Sequence, residues 1–353
     1  MNIIIYEDNK VENFKPFSIN HAIFELRCGM YTNLDRVINL YGSNHQYILM
    51  VRPEIESIIR FRYPKIIVNP DVLPSGKFIN GSCLLKNKVD LDFFPDNPNS
   101  SNLNHDEIQS LEYIWDCIFY SKEIFKLDFF SKFNSKDIYK SSNCIIKEGV
   151  ILDASNGPII IGENVTVDIG ALLQGPLFID NNSYIAPGSK IRQGTMIGKN
   201  CKIGGEVSNS IFYANSNKVH DGFIGDSFIG EWVNIGAGTN NSNLKNNYSN
   251  ISFSFNGKDS INTDHQFLGS MIGDYTRIGI SSMLNTGSYI GLGANVFGAG
   301  FQKKYIENFS WGMDKQRVVF DKFIQTCEKM YSRRNKKLSE IETNFLNLLY
   351  NKK

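Results

Sequence analysis

His220 is the residue of this 353-residue sequence whose chemistry can be stated first. The chain has five histidines, and His220 lies in a stretch, residues 215–246, that is dense in Asn, Asp, Lys and Gly. A neutral imidazole near physiological pH is a natural base for an amine or a hydroxyl that attacks a thioester. The plainer alternative is a loop histidine whose ring is satisfied by a backbone carbonyl.

Eight aliphatic residues recur at an unbroken interval of six, and this pattern predicts the scaffold that positions His220. They are Ile161, Val167, Leu173, Ile179, Ile185, Ile191, Ile197 and Ile203. Neither the helical period of about 3.6 residues nor the strand period of about 2 explains this interval. A six-residue unit forms one flat wall of a triangular coil with the aliphatic side chain inside. The pattern therefore predicts a left-handed parallel β-helix of hexapeptide repeats.

The six-residue ladder is interrupted twice before it ends. A coil of this kind expels a long insertion outward as a loop, on the face that most often binds ligands. The sequence therefore predicts two expelled loops, residues 209–223 and residues 240–266. His220 lies on the first of them and Asn243 on the second.

The two ends of the chain are predicted to fold differently from the middle. The N-terminal part reads as alternating short strands and helices, which is typical of a small α/β domain. A loop is expected at residues 95–104, where Pro, Asn and Ser dominate. After Trp311, apolar residues at helical spacing predict a long amphipathic C-terminal α-helix with a basic patch at residues 333–337. The predicted divisions are the α/β domain at 1–105, a helical connector at 106–140, the β-helix at 141–302 and the C-terminal helical segment at 303–353.

Charge and composition exclude several classes of partner. Lys and Arg number 37 against 36 Asp and Glu, so the net charge is +1 and nothing attracts nucleic acid at long range. The six cysteines stand singly, as expected of reduced thiols. No apolar run approaches the roughly 18 residues of a membrane span, and the N-terminus lacks the basic region of a signal peptide. The sequence predicts a cytoplasmic protein without membrane insertion.

The segment that contains His220 carries a resemblance to a known family. Residues 220–239, HDGFIGDSFIGEWVNIGAGT, resemble the acetyltransferase domain of the bifunctional N-acetylglucosamine-1-phosphate uridyltransferase/glucosamine-1-phosphate acetyltransferase family. Residues 204–211, GGEVSNSI, and residues 267–279, FLGSMIGDYTRIG, are similar to an alternative branch of that family, whose N-terminal part is a divergent sugar nucleotidyltransferase. The resemblance covers nearly the whole chain.

The resemblance implies a homotrimeric transferase of nucleotide-sugar biosynthesis for the cell envelope. Its expected reaction is acetyl transfer from acetyl-CoA to an amino-sugar 1-phosphate. Nucleotidyl transfer, which would give an NDP-sugar such as UDP-N-acetylglucosamine, is the expected second activity, with Mg²⁺ as its cofactor in the N-terminal domain. The sugar, the nucleotide and the pathway stay open.

Carried over position by position, the resemblance assigns roles to five residues. It makes His220 the general base, places Asn234 and Asn243 on the sugar and Arg192 on the sugar phosphate, and sets the backbone of Ala237 beside the acetyl group. The chemistry agrees, because a guanidinium suits a phosphate and amides suit sugar hydroxyls. The alternatives are a solvated corner residue for the arginine and a turn or an asparagine ladder for the two amides.

Two positions depart from the better-known enzyme of the family. Phe223 stands where a tyrosine contacts the phosphate, and Ser208 stands where a lysine does. Lys218 and Lys190 are nearby candidates to replace the missing charge. The acceptor need not be glucosamine 1-phosphate.

The expected coenzyme A site lies in the groove between neighbouring coils of the trimer. The resemblance places Ser281, Ala299 and Gly300 against the pantetheine arm. Lys303 and Lys304, just past the last coil, would meet the nucleotide phosphates.

The N-terminal domain lacks the Gly-rich loop and the Pro-Lys pair that nucleotidyltransferases of this class use. A segment from Glu25 to Gly29 matches divergent relatives, so Arg27 and Arg52 are candidates for phosphate binding, and Asp8 for Mg²⁺. The alternative is that Arg27 anchors a helix and that Asp8 caps one. The domain is then either an active nucleotidyltransferase or a degenerate domain that binds or only packs.

Three other classes of protein remain as alternatives. A trimeric zinc enzyme of the γ-carbonic-anhydrase type shares the coil but needs three histidines, and the repeat region holds only His220 and His265. A sugar-1-phosphate nucleotidylyltransferase with a non-acetylating β-helix is the second. A non-catalytic nucleotide-sugar-binding trimer is the third.

Overall fold

The computed structural model describes residues 1–96, 106–133, 137–312 and 316–352. The N-terminal domain is built on a parallel four-stranded sheet whose strand order, in chain numbering, is third, second, first, fourth. In chain order the strands are Asn2–Tyr6, Gln46–Met50, Ile67–Val68 and Lys77–Asn80. Helix α1, Asn33–Tyr41, follows the first strand and helix α2, Glu56–Arg62, follows the second. The predicted α/β pattern is confirmed.

Shorter elements complete this part of the chain. Two antiparallel pairs are formed by Arg27–Cys28 with Tyr31–Thr32 and by Cys83–Leu85 with Ile108–Ser110. Short 3₁₀ helices lie at Asn9–Phe14, Phe17–Ile19, Ile23–Glu25, Pro53–Ile55 and Leu91–Phe93. Helix α3, Asp116–Lys132, leads towards the repeats. The loop expected at residues 95–104 lies mostly outside the described residues.

The middle of the chain winds into a β-helix with three parallel walls. The first wall consists of Ile138–Lys140, Ile159–Ile161, Leu177–Ile179, Thr195–Ile197, Ile211–Ala214, Phe228–Glu231, Ser270–Ile272, Ser288–Ile290 and Tyr305–Ile306. The second consists of Ile145–Ile146, Thr166–Val167, Tyr184–Ile185, Lys202–Ile203, Asn217–Lys218, Asn234–Ile235, Arg277–Ile278, Asn295–Val296 and Ser310–Trp311, with Gln316–Arg317 added antiparallel. The third consists of Ile151–Asp153, Leu172–Gln174, Lys190–Ile191, Glu206–Ser208, Phe223–Gly225, Asn240–Asn241 and Met283–Leu284.

The predicted aliphatic ladder forms the interior of these walls. All eight of its side chains are fully buried, and equivalent positions stack from coil to coil, as Ile161 does on Ile179. Burying one aliphatic side chain contributes about 1.5–3 kcal/mol, so the ladder is a main source of the stability of the coil. The left-handed parallel β-helix expected from the sequence is confirmed.

The first predicted loop is wrong, because residues 209–223 continue the coil. Each wall gains one strand from this stretch: Ile211–Ala214, Asn217–Lys218 and Phe223–Gly225. Strand pairing is unbroken, since Ile203 pairs with Lys218 in the second wall. His220 therefore lies on a corner of the coil and not on an expelled loop.

A shortened corner explains why the interval of six fails there. Only Gly204 and Gly205 connect the second wall to the third in one coil, whereas four residues, 219–222, make the next corner along the same edge. Gly205 has a φ of +69°, a left-handed conformation that glycine adopts at no steric cost. On the second wall, the interior position stacked on Ile203 is held by Lys218 instead of an aliphatic residue. Because of the short corner and the polar interior residue, the six-residue aliphatic pattern does not continue through this coil.

The second predicted loop exists, but it starts later than predicted. Asn240–Asn241 is a strand of the third wall, and the excursion follows it. Within the excursion, Ser252–Phe253 pairs antiparallel with Ile261–Asn262. His265 stacks on Phe119 of α3, with 3.8 Å between the ring centroids. The loop therefore covers the connecting helix.

The C-terminal segment is helical as predicted, but it forms two helices and not one. Helix α4 spans Phe320–Ser332 and helix α5 spans Glu340–Asn351. The basic patch at residues 333–337 falls in the break between them. Ser339 caps α5, since its side chain accepts from the backbone N–H of Glu342 at 3.1 Å and Glu342 returns a bond to the Ser339 backbone.

The first wall is covered by the rest of the chain. Its outward side chains, among them Ile160, Phe178 and Met196, are buried in one cluster with residues of α3 and of the N-terminal domain. The second and third walls keep most of their outer face free. None of the helices within the described ranges combines the length and the apolar character that a membrane crossing requires.

Candidate active site at an edge of the β-helix

The corner between the second and third walls collects several of the predicted site residues. His220 is exposed in the corner made by residues 219–222. The next two corners stack on it, because Gly238 donates its N–H to the carbonyl of Asp221 at 2.9 Å and Ser281 donates to that of Ala237 at 2.7 Å. The structure thus brings His220, Ala237 and Ser281 to one edge of the prism.

Lys218 holds this corner from inside the coil. Its side chain is 1% exposed, and its Nζ donates to the carbonyl of Gly204 at 2.9 Å and to that of His220 at 2.7 Å. Burial lowers the pKa of Lys218 to about 8, against a smaller opposing effect of Asp221. The expectation that Lys218 replaces a missing phosphate contact is wrong, because its ammonium group is inaccessible and bound to two carbonyls.

A groove of ≈ 320 Å³ opens on the third wall beside this corner. It is lined by Gly188, Lys190, Gly205, Glu206, Asp221, Gly222, Phe223 and Asn240. The corner at Gly205 has two residues, and the stacked corner that holds His220 has four. The shorter corner protrudes less, and we attribute the groove to this difference. Phe223 forms part of its floor, and its N–H donates to the side-chain oxygen of Asn240 at 2.8 Å.

Two predicted acceptor-binding residues lie at the far end of the third wall. Arg192 forms an exposed ion pair with Glu206, with 3.1 Å between Nη1 and Oε1. Asn243 donates to Asp226 at 2.6 Å. The missing Cβ of Gly225 leaves room for the ring of Phe223, because a Cβ there would lie 2.5 Å from the ring. The third wall therefore carries a polar face that extends from His220 towards Arg192.

Asn234 lies on the second wall, away from this groove. Its side-chain oxygen accepts from Asn217 at 3.1 Å, and it lines a different cavity. Within one chain the structure does not bring Asn234 onto the third-wall face where Arg192 and Asn243 lie.

The residues expected to bind coenzyme A are divided between two edges. Ser281, Ala299 and Gly300 are exposed at the edge that holds His220, where small side chains leave space for an extended thioester arm. Lys303 and Lys304 lie between the third wall and the first-wall strand Tyr305–Ile306, at another corner. Burial and the neighbouring Lys245 lower the pKa of Lys304.

The three candidates for a nucleotidyl site are each engaged inside the fold. Asp8 accepts from the backbone N–H of Lys10 at 2.9 Å and from Asn80 at 2.7 Å, so both carboxylate oxygens are used. Arg27 donates to the carbonyl of Met30 and lies on the first wall. Arg52 pairs with Glu7 at 2.5 Å. The contact of Asp8 with Lys10 matches the capping alternative, whereas Arg27 anchors a turn and the first wall and not a helix. A Mg²⁺ site at Asp8 stays a prediction.

The usual ligand crevice of an open parallel sheet is filled in this domain. Such sheets bind ligands at the carboxyl ends of the strands where the strand order reverses, here between Asn2–Tyr6 and Lys77–Asn80. Phe24 is fully buried at this point, and a Cβ on Gly81 would lie 3.2 Å from it. The carboxyl ends of these two strands are therefore closed by the chain itself.

Within the described ranges, one group of three side chains could hold a metal ion: His21, Glu231 and Asp274. His21 Nε2 lies 2.8 Å from Asp274 and its Nδ1 lies 3.3 Å from Glu25. Burial and Arg62 act to lower the pKa of His21, but the carboxylates outweigh them and raise it. We interpret the group as a buried polar contact that docks the N-terminal domain on the β-helix. Neither His220 nor His265 belongs to it, so the zinc-enzyme alternative gains no support.

Two features of the site escaped the sequence analysis. The pair Gly204 and Gly205 marks the short corner, and adjacent glycines at an expected wall boundary are the signal that could have revealed it. Glu206, next in the chain, pairs with Arg192. Side chains alternate between the two faces along a strand, so once the corner is known to end at Gly205, Glu206 is expected to point outward.

Comparisons with known proteins find a family match in the N-terminal part of the chain and similar proteins among bifunctional transferases. Residues 3–135 match the family described as sugar nucleotidyl transferase. The bifunctional protein GlmU of Wigglesworthia glossinidia brevipalpis is 29% identical over 184 residues, which cover 46% of this chain and 35% of that protein. The bifunctional sugar-1-phosphate nucleotidylyltransferase/acetyltransferase of Sulfurisphaera tokodaii is 34% identical over 143 residues, covering 40% of this chain and 35% of that protein. The chain is similar to these bifunctional transferases over 40–46% of its length.

The relationship is partial in length. The chain spans about a third of the length of the two curated proteins just described, with 35% covered in each. Among solved structures, the UDP-N-acetylglucosamine acyltransferase from Campylobacter jejuni matches 61% of this chain and 97% of its own, at 12% identity and a TM-score of 0.24. At so low a score, the fold assignment depends on the strand topology described above.

Proposed function

We propose that this protein moves an acyl group from an acyl-coenzyme A, with acetyl-CoA as the expected donor, to the amine of an amino-sugar 1-phosphate. The observation that carries the proposal is the place of His220. Its exposed ring lies on the edge that also holds Ala237 and Ser281, and the residues directly after it line the groove of ≈ 320 Å³. A base, an acceptor groove and a row of small residues for a thioester arm meet at one corner.

The proposed reaction assigns one proton transfer to His220. The amine nitrogen attacks the carbonyl carbon of the thioester, and the imidazole takes a proton from that nitrogen. The bond between carbon and sulfur then breaks, and the leaving thiolate receives the proton. The backbone around Ala237 borders the position of the acyl group, and Lys218 fixes the corner that presents the base.

The third wall limits what the acceptor can be. Arg192 is the guanidinium available to a phosphate on this face, and Glu206 already pairs with it at 3.1 Å. A phosphate must displace that carboxylate, which lies in an exposed pair worth only about 0–1 kcal/mol. Phe223 offers an apolar floor against a sugar ring. We therefore propose an amino-sugar phosphate as the acceptor class, with the sugar left open.

The test is thiol release from acetyl-CoA by the full chain against a panel of amines. The panel contains glucosamine 1-phosphate, other amino-sugar 1-phosphates and the same sugars without phosphate. We expect turnover with at least one phosphorylated amine and a lower kcat/KM with its unphosphorylated counterpart. Absence of thiol release with every amine would contradict the proposal.

We further propose that the chain forms a homotrimer through this edge. Exposed apolar side chains follow the edge that holds His220, with Ile169, Ile280 and Phe297 on different coils. Exposed apolar patches mark interaction sites in proteins of this kind, and a ring of three copies closes such an interface.

Replacing Ile280 with glutamate should dissociate this trimer. The side chain is 77% exposed in the single chain, so the substitution costs little in the monomer and places a desolvated charge in the interface. Sedimentation velocity should show a trimer for the unaltered chain and a monomer for Ile280→Glu. Val72→Glu is the matched control, because Val72 is 83% exposed in the N-terminal domain. If both variants sediment like the parent, this edge is not the interface.

A further inference from the structure

The second wall and the end of α4 enclose a groove of ≈ 330 Å³ that the proposed acyl transfer does not use. Four basic residues line it, and we call it the basic groove: Lys202, Arg277, Arg333 and Arg334. The last two belong to the basic patch between the C-terminal helices. The fold therefore brings this patch against basic side chains of the β-helix.

The second wall supplies a single outward column to the basic groove. Lys202 pairs with Asn217, Asn217 with Asn234, and Asn234 with Arg277, so these four side chains stand on successive coils. Three steps of about 4.8 Å place the first and last of them roughly 14 Å apart. The column thus has a cation at each end and two neutral amides between them.

These charges have no counter-ions among the described residues. None of the four basic side chains of the groove lies within ion-pairing distance of a carboxylate there. The Arg277 guanidinium reaches two sulfur atoms instead, Met330 Sδ at 3.0 Å and Cys327 Sγ at 3.9 Å. Thioether and thiol sulfurs are weak acceptors, so this guanidinium keeps most of its capacity to bind an anion.

The arginines are also held in place before any ligand arrives. Arg277 packs on the ring of Phe323, with 5.7 Å between its guanidinium carbon and the ring centroid. Arg334 is partly buried, and burial together with the neighbouring Arg333 lowers its pKa. Bringing like charges together in a partly desolvated groove is unfavourable unless an anion binds there.

We propose that the basic groove binds the diphosphate group of a nucleotide-type ligand. Four cations line this one groove, more than a single phosphate can engage, whereas two linked phosphoryl groups offer more negative charge and more acceptor oxygens to the same lining. Arginine binds phosphate oxygens in bidentate fashion, and the amides of Asn217 and Asn234 suit hydroxyl groups next to the diphosphate. The site lies on the second wall, so the proposal does not depend on acyl transfer at the third.

The experiment is calorimetric titration of the full chain with inorganic pyrophosphate, UDP and inorganic phosphate. We expect pyrophosphate and UDP to bind, and phosphate to bind at least about tenfold more weakly. Arg334→Gln should weaken pyrophosphate binding roughly tenfold or more, because a charge-assisted hydrogen bond is lost. Raising the salt concentration should weaken binding less steeply in this variant than in the parent.

Lys329→Gln is the matched control, since Lys329 is an exposed cation near the end of α4 and does not line the groove. It should bind pyrophosphate like the parent. Equal binding by Arg334→Gln and the parent, or equal affinity for phosphate and pyrophosphate, would overturn the proposal. Far-UV circular dichroism of Arg334→Gln confirms that it folds. His220→Ala should keep full pyrophosphate affinity, so a failure of the acyl-transfer proposal leaves this result readable.

Discussion

Replacing His220 with alanine should lower the rate of acyl transfer by roughly 10²–10⁴-fold, the usual loss when a general base is removed. The effect should fall on kcat, because the imidazole takes its proton in the transition state and the exposed ring adds little to ground-state binding. The thermal midpoint of unfolding should stay close to that of the parent, since the side chain is exposed and the corner is held by backbone bonds and by Lys218. The measurement is thiol release with the best acceptor of the panel.

His265→Ala is the matched control for this loss. His265 is the other histidine of the repeat region, and it stacks on Phe119 at 3.8 Å, away from the third-wall groove. Its removal should lower stability modestly and leave kcat within about threefold of the parent, because no reacting atom depends on it. If His220→Ala keeps the parent rate, or if both variants lose activity equally, His220 is not the base.

Much of the fold could be predicted because its signal is repeated. Each aliphatic side chain from Ile161 to Ile203 reports the same six-residue unit, so a single misread position does no harm. The N-terminal sheet was likewise foreseen from short buried strands. Prediction failed where one local event broke the repeat. The two-residue corner at Gly204 and Gly205 shifts the register, so the sequence predicts an expelled loop where the structure has a further coil.

The candidate site could be predicted only in part. Sequence placed His220, Ala237 and Ser281 in it, and the structure brings them to one edge because each occupies an equivalent corner. Sequence could not show the direction of a side chain. Lys218 was expected to face a substrate and instead points into the coil, because the interior position alternates with exposed ones along the wall.

The sequence also does not show on which wall of the β-helix a residue lies. Asn234 and Asn243 were given the same role, yet they stand on different walls of one chain. The basic patch at residues 333–337 was visible as composition alone. Its meeting with Arg277 depends on the break between α4 and α5, which a single continuous amphipathic pattern did not reveal.

Lys218→Met should cost acyl transfer about 10²-fold, although Lys218 touches no substrate. Its ammonium group donates to the carbonyl of His220, and loss of that bond frees the corner that aims the base. A misplacement of about 1 Å in a catalytic group is enough for such a loss. Methionine fills a similar apolar volume, so the variant should fold. KM for the acceptor should change less than kcat, since the third-wall residues stay in place.

A second measurement separates this positioning role from a general loss of structure. Lys218 has a pKa of about 8 in the folded chain and about 10.4 when unfolded. Between these two pH values the unfolded chain binds more protons than the folded chain, so the free energy of unfolding rises with pH. Below about pH 8 the buried lysine is charged, and its destabilising effect on the folded chain is fully present. Lys218→Met should therefore exceed the parent in stability most below about pH 8, and this excess should shrink from pH 8 to 10. A difference that stays flat would show that the lysine is not held as a buried, destabilised cation.

Lys199→Met provides the comparison, because Lys199 is exposed on the same β-helix. It should change neither the rate of acyl transfer nor the pH dependence of stability. Lys218 thus illustrates a trade between stability and function: an aliphatic residue would suit this interior position better, and the chain keeps a cation there that fixes the corner carrying His220. If Lys218→Met retains the parent kcat, the lysine serves only the packing of the coil.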